Sequence, residues 1–272
     1  MINQEARTVE QIFSSDRAIV TGGSRGIGWA VAKELVDRGA QVLLVARNSE
    51  RLRQRAEELN RRRPGHAQWF SCDMANQPMS AEAAVQHALK TIGQPTLLLN
   101  AAGGASIASV LDAPWSLWVG DFQVKFFGYL AMARAVVPCM LQQRKGVIVN
   151  IVGIAGKDPN PNLAIASAVN GALNGVMKVL ADEVSQHGVR VVNVNPSATE
   201  TDLLGSMAQS TAQKSGQPVE AVLKAMRMRS PLGRLPTAGD IAGVVLFLMS
   251  RQADFVTGTG IDVDAGIHRG MF

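Results

Sequence analysis

The stretch Arg17–Gly39, RAIVTGGSRGIGWAVAKELVDRG, decides the fold. RAIV is a short β-branched apolar run, and WAVAKELVDRG has helical periodicity and stops at a glycine. Between them Gly22, Gly26 and Gly28 punctuate a turn that leaves a strand and enters a helix. Glycines let a backbone turn tightly and approach a bound group closely, and the helix start offers free N–H groups and a positive dipole end to an anion. A tight structural turn would use glycine too. The strand before it and the helix after it favour a pyrophosphate site.

Working outward, the pattern repeats. QVLLVAR (41–47) reads as a second strand, followed by a charged helix over 49–62. AQWFSCDM (67–74) is a third strand, and a helix covers the 80s. PTLLLNAAG (95–103), GVIVNIVG (146–153) and VRVVNVNP (189–196) are further strands, separated by long helices over 117–143 and 163–187. Residues 200–235 are irregular or helical. A helix over 238–250 then leads to a last strand, GTGIDVDAG (258–266). Strands alternating with helices predict an α/β doubly wound parallel sheet, Rossmann-like, covered on both faces. Its ligands bind beyond the carboxyl ends of the strands.

The chain has 272 residues, 47% of them hydrophobic, enough for one sizeable core. Residues 1–15 read as an N-terminal extension and 16–272 as one domain. The opening MINQEARTVEQIF carries acidic residues and does not resemble a secretory leader. No apolar run reads as long enough to span a membrane, so the expected location is the cytoplasm. The net charge of +5 draws on arginines 51, 53, 55 and 61–63. Glutamates interleave with them and no aromatic platform accompanies them, so a solvated helix face is favoured over nucleic-acid binding. Cys72, Cys139 and four dispersed histidines form no metal-binding pattern.

Several motifs together resemble the short-chain dehydrogenase/reductase family, from about Asp16 to Gly266. TGGSRGIG (21–28) resembles its cofactor turn and NAAG (100–103) the motif after its fourth strand. Asp73 in CDM stands where the family has an Asp near the adenine. PSATET (196–201) resembles the segment beside the nicotinamide, with Ser197 where the family has glycine, which puts that loop's backbone in question. PLGRLPTAGDIA and GTGIDVDAG resemble the closing segments. The resemblance implies cofactor contacts from Gly22, Ser24, Arg25, Gly26, Ile27, Gly28, Arg47, Asp73, Met74, Asn100, Ala101, Gly103, Asn170, Pro196, Thr199 and Thr201.

Strand 2 ends at Arg47 without the acidic residue that would accept from a ribose hydroxyl, and Arg25 lies in the glycine-rich turn. Two guanidinium groups suit a 2′-phosphate, which predicts NADP(H) over NAD(H), although two surface arginines would look the same.

The family's acid/base residues have no counterparts. The Tyr position falls on Ala166, the Lys position four residues later on Asn170, the Ser position on Gly153 and the Asn position on Lys125. Three readings stand. In the first, an NADP(H)-dependent oxidoreductase acts on a small, apolar carbonyl or conjugated substrate with relocated catalysis. Lys125 then enters the space left by smaller residues, with Asn170 and Ser167 as polar partners. A snorkelling lysine is the plain account of Lys125. In the second, a non-redox isomerase, dehydratase or cyclase uses polar groups at the mouth, among Ser106, Asp158, Asn162, Ser167 and Asn170. In the third, the chain binds cofactor without turnover. Residues 200–232 read as a Met-rich substrate lid or as ordinary packing. Trp115 and Trp118 either line the pocket or cover the sheet. The two long helices resemble those that pair subunits in family dimers and tetramers, implying a homodimer or homotetramer; a monomer core would use them equally.

Overall fold

The computed structural model describes residues 11–104, 106–268 and 270. Seven parallel strands form one sheet in the order β3-β2-β1-β4-β5-β6-β7. They are β1 (Arg17–Thr21), β2 (Gln41–Ala46), β3 (Ala67–Ser71), β4 (Leu97–Asn100), β5 (Gly146–Ile151), β6 (Val189–Pro196) and β7 (Thr259–Val263). The α/β doubly wound architecture read from the sequence is the one observed.

Alternation along the strands assigns the two faces. Ala18, Val20, Val42, Leu44, Leu97 and Leu99 point into one core with α1 (Gly26–Asp37), α2 (Ser49–Arg62) and α9 (Ala238–Met249). Ile19, Leu43, Val45 and Leu98 point into the other core. That second layer holds α3 (Met79–Thr91), α5 (Gly128–Gln143) and α6 (Ala164–Val184). On α6 the residues Ile165, Val169, Leu173 and Met177 recur every fourth position and are fully buried. Each such side chain contributes about 1.5–3 kcal/mol of transfer free energy.

One detail differs from the sequence reading. Phe13 is fully buried in the first core, and its N–H donates to the Arg38 carbonyl. The packed unit therefore reaches back past residue 16, into the segment read as an extension; residues 1–10 of that segment, with most of the opening read for a leader, lie outside the described residues. The helical stretches Trp115–Gln143 and Ala164–His187 are long and apolar enough to cross a membrane by length and composition alone. Charged residues such as Arg134 and Lys178 interrupt both, so neither is an unbroken apolar run. In the fold both pack on the sheet through Met132, Val136, Met140 and the α6 residues named above. Residues 202–228 form a helical hairpin, α7 (Asp202–Ser215) and α8 (Val219–Met228), with a small core of Ala208, Ala212 and Val222 against which Leu223 and Met226 pack.

On α2 the basic face is partly neutralised. Arg53 pairs with Glu50 and Glu57, Arg55 with Glu58, and Arg62 with Asp37 on α1.

Candidate active site and cofactor cleft

The strand order reverses between β1 and β4, so a crevice opens where their carboxyl ends diverge. The Thr21 hydroxyl closes its floor: it accepts from the N–H groups of Ala101 (3.1 Å) and Ala102 (3.3 Å) and donates to the Leu99 carbonyl. This ties the glycine-rich turn to the NAAG segment. Gly22 has φ of +68°, and a Cβ there would lie 2.5 Å from the Ala101 carbonyl oxygen. Only glycine fits a backbone so placed. The first intrahelical bond of α1 runs from Trp29 N–H to the Arg25 carbonyl. The N–H groups of Gly26, Ile27 and Gly28 therefore precede the helical ladder and are free to bind an anion. Across the crevice, the Thr201 methyl would lie 3.6 Å from a Cβ on Gly26.

Arg25 and Arg47 are both exposed, and among the described residues neither has a side-chain hydrogen bond or ion pair. Ser24 is buried in the turn. Other predicted cofactor residues are occupied structurally. Asn100 is fully buried: its amide donates to Asn150 Oδ1 (2.9 Å) and to the Tyr129 carbonyl. The ladder continues from Asn150 to Asn193 and from Asn193 to Asn174. Met74 packs in the second core, and Asp73 accepts from the Ala75 N–H. Thr199 and Thr201 donate to the carbonyls of Ser197 and Thr199, bracing the loop after Pro196. Ser197 does not occupy the left-handed region, so its backbone does not require glycine.

Lys125 and Asn170 meet deeper in the cleft. Lys125 lies in Phe122–Phe127, a π-helical stretch joining α4 (Trp115–Asp121) to α5. Such a turn rotates the side chains that follow it relative to an α-helix. The Lys125 stem runs along Gly103, where a Cβ would lie 3.4–3.6 Å from it. Its Nζ donates to the Val152 carbonyl (2.5 Å) and to Asn170 Oδ1 (2.8 Å). Asn170 Nδ2 in turn donates to the Gly153 carbonyl (3.3 Å). Gly153 has φ of +111°, and a Cβ on it would stand 3.0 Å from Asn170 Nδ2. Ala166 is buried one helical turn before Asn170. Burial pushes the Lys125 ammonium down to about 8, against the opposing pull of the Asp121 carboxylate.

Ser167 is not part of this group: its hydroxyl donates to the Leu163 carbonyl and accepts from the Asn160 N–H. Ser106 offers its N–H to Asp121, Asp158 stands 3.7 Å from His268, and the Asn162 N–H turns to Asn160. Trp118 packs against the second core, whereas Trp115 is exposed. Tyr129, the chain's one tyrosine, is buried with its hydroxyl on the Ile151 carbonyl, and burial raises its pKa. It offers no proton to the cleft. Asp121 was missed by the sequence reading, although it stands one turn before Lys125. The Val152 carbonyl carries no sequence signal, and neither does the π-helical stretch.

The family model described as Enoyl-(Acyl carrier protein) reductase matches residues 22–268. The chain belongs to the short-chain dehydrogenase/reductase family. It is 34% identical over 249 residues to 2-(S)-hydroxypropyl-CoM dehydrogenase 3 of Xanthobacter autotrophicus, covering 91% of this chain and 94% of that one. Among solved structures it resembles a short chain oxidoreductase from Pseudomonas aeruginosa PAO1, bound to NADPH and described as containing an atypical catalytic center. That likeness has 30% identity, a TM-score of 0.83, and covers 95% and 98% of the two chains. L-sorbose reductase from Gluconobacter frateurii, complexed with NADPH and L-sorbose, is 26% identical with a TM-score of 0.89, covering 97% and 100%.

Proposed function

We propose that this family member is an NADP(H)-dependent oxidoreductase acting on a small apolar carbonyl or conjugated substrate, with Lys125 in place of a tyrosine as the proton-donating group. The observation that carries the reading is the Lys125–Asn170 contact, which holds an ammonium beside the cofactor crevice. The family pattern places its Ser, Tyr and Lys at Gly153, Ala166 and Asn170, so the amine enters space those side chains would fill.

The cleft suits the cofactor. The free amides at the start of α1 would take the pyrophosphate, and the unpartnered Arg25 and Arg47 the 2′-phosphate. Asn170 is fixed by Lys125 and Gly153, and Pro196, Thr199 and Thr201 would flank the nicotinamide side. When bound, the cofactor supplies or accepts a hydride. An ammonium has three donors, and Lys125 uses two of them on Val152 and Asn170. The third is available to polarise and protonate a substrate oxygen. The NADPH-bound relatives support the cofactor assignment, and the relative described as containing an atypical catalytic center lends support to a departure from the usual catalysis.

The α7–α8 hairpin is the proposed lid: Leu203 would stand 3.7 Å from a Cβ on Gly104, at the crevice mouth. A homodimer or homotetramer is proposed on the long-helix layer, where Val119, Phe127 and Val179 are exposed.

Calorimetric titration with NADPH and NADH tests the cofactor assignment. Micromolar NADPH binding with NADH at least ~10-fold weaker is expected. Equal affinities would remove the arginine argument, and no binding of either would remove the oxidoreductase reading.

A further inference from the structure

Lys125 has a second chemistry available, and the geometry around its nitrogen is what exposes it. Three of the four tetrahedral directions at Nζ are assigned: Cε, the Val152 carbonyl and Asn170 Oδ1. Among the described residues no third hydrogen-bond partner reaches Nζ. Both fixed partners are acceptors. A neutral amine satisfies them with its two N–H groups and directs its lone pair along the fourth direction. The same direction in the ammonium carries the third proton.

We propose that Lys125 is a nucleophile that condenses with the carbonyl carbon of an aldehyde or ketone to form an imine. The nitrogen lone pair makes the N–C bond, the C=O π pair moves to oxygen, and one N–H proton passes from nitrogen to that oxygen, giving a carbinolamine. The C–O bond then breaks as the nitrogen pair forms C=N, the second N–H proton goes to the departing hydroxyl, which leaves as water, and hydrolysis reverses both steps. No oxidant or reductant is consumed. In this proposal the carboxylate that passes those protons is Asp121. It stands one turn before Lys125, acts on the lysine's charge, and has one oxygen on the Ser106 N–H.

The surroundings suit a nucleophile. Burial disfavours the ammonium, so free amine is present near neutral pH. Gly103 leaves the flank of the lysine stem without a side chain. A protonated imine withdraws electrons more strongly than the parent carbonyl. It therefore activates the adjacent C–H and, in a conjugated chain, the β-carbon, so conjugated aldehydes are the class it suits best. This activity shares Lys125 with the function proposed above but does not need the nicotinamide.

The test uses the full chain, cinnamaldehyde and sodium cyanoborohydride without any nicotinamide, followed by peptide mapping by mass spectrometry. The expected result is one adduct on the Lys125 peptide, forming at least ~10-fold faster than on any other lysine. Its rate should rise with pH and level off above about 8. Asp121→Asn should slow it about fivefold without moving it to another lysine. Lys125→Met should abolish it. Labelling spread over surface lysines, with Lys125 no faster than the rest, overturns the proposal in the wild-type protein alone, whether or not the variants fold. Because no cofactor is present, this outcome is separate from failure of the NADPH titration.

Discussion

The Nζ of Lys125 lies 2.8 Å from Oδ1 of Asn170, joining the π-helical turn before α5 to the middle of α6. The contact spans two helices of one layer at the mouth of the sheet. It couples a titratable amine to the residue proposed to meet a nicotinamide ribose.

If the amine is the proton donor, Lys125→Met should lower carbonyl reduction by about 10²–10⁴-fold. NADPH affinity should change far less, because the turn and the arginines are untouched. Single-turnover reduction alongside calorimetry reads both. Unchanged turnover would return Lys125 to a packing role.

The pH profile should separate the two roles of Lys125. The ammonium donates, so reduction should decline as pH rises through about 8, while imine trapping increases over the same range. Stability carries a matching signature. In the unfolded chain the lysine keeps its proton to near 10.5, so between about 8 and 10.5 the unfolded state binds more protons and this group's contribution to stability rises with pH. Urea titrations of wild type and Lys125→Met across that window should diverge in slope.

Gly153→Ser should not restore an ordinary site. The backbone at +111° disfavours any side chain, and the new Cβ would press to 3.0 Å from Asn170 Nδ2. The expected cost is about 1–3 kcal/mol, with a lower Tm and reduced turnover from a displaced Asn170. A Tm equal to wild type would show that the loop adapts.

Arg47→Asp should invert cofactor preference, replacing a donor for the 2′-phosphate with an acceptor for a ribose hydroxyl. A tenfold or larger change in the NADPH/NADH affinity ratio is expected, on the order of 1.4 kcal/mol. Calorimetry with both nucleotides reads it directly.

The buried asparagine ladder should matter for folding rather than chemistry. Asn150 is fully buried and bonds Asn100 and Asn193 on either side. Asn150→Ala should cost about 2–4 kcal/mol by stranding both partners, measured by urea denaturation.

Much of this was legible in the residues. Strand–helix alternation around TGGSRGIG led to the doubly wound sheet, because periodicity of two and of 3.6 is a local property of the chain. The motifs led to the family and to the cofactor crevice. That Ala166, Asn170 and Gly153 stand at the family's polar positions is what the resemblance implies from register. The roles of Asn100 and Ser167 were not legible. Both are polar residues near a cleft in sequence order, and only packing shows Asn100 turned into the sheet and Ser167 turned onto its own helix.

By itself the sequence determined the class of fold, the place of the cofactor turn and the identity of the residues that could do chemistry. Tertiary structure alone decided which of them meet. Residues 125 and 170 lie on different helices, and their contact depends on helix packing and on a π-helical turn that no local pattern announces. The same packing withdraws the ammonium from water and so lowers its pKa, a long-range effect of burial that composition and spacing do not encode.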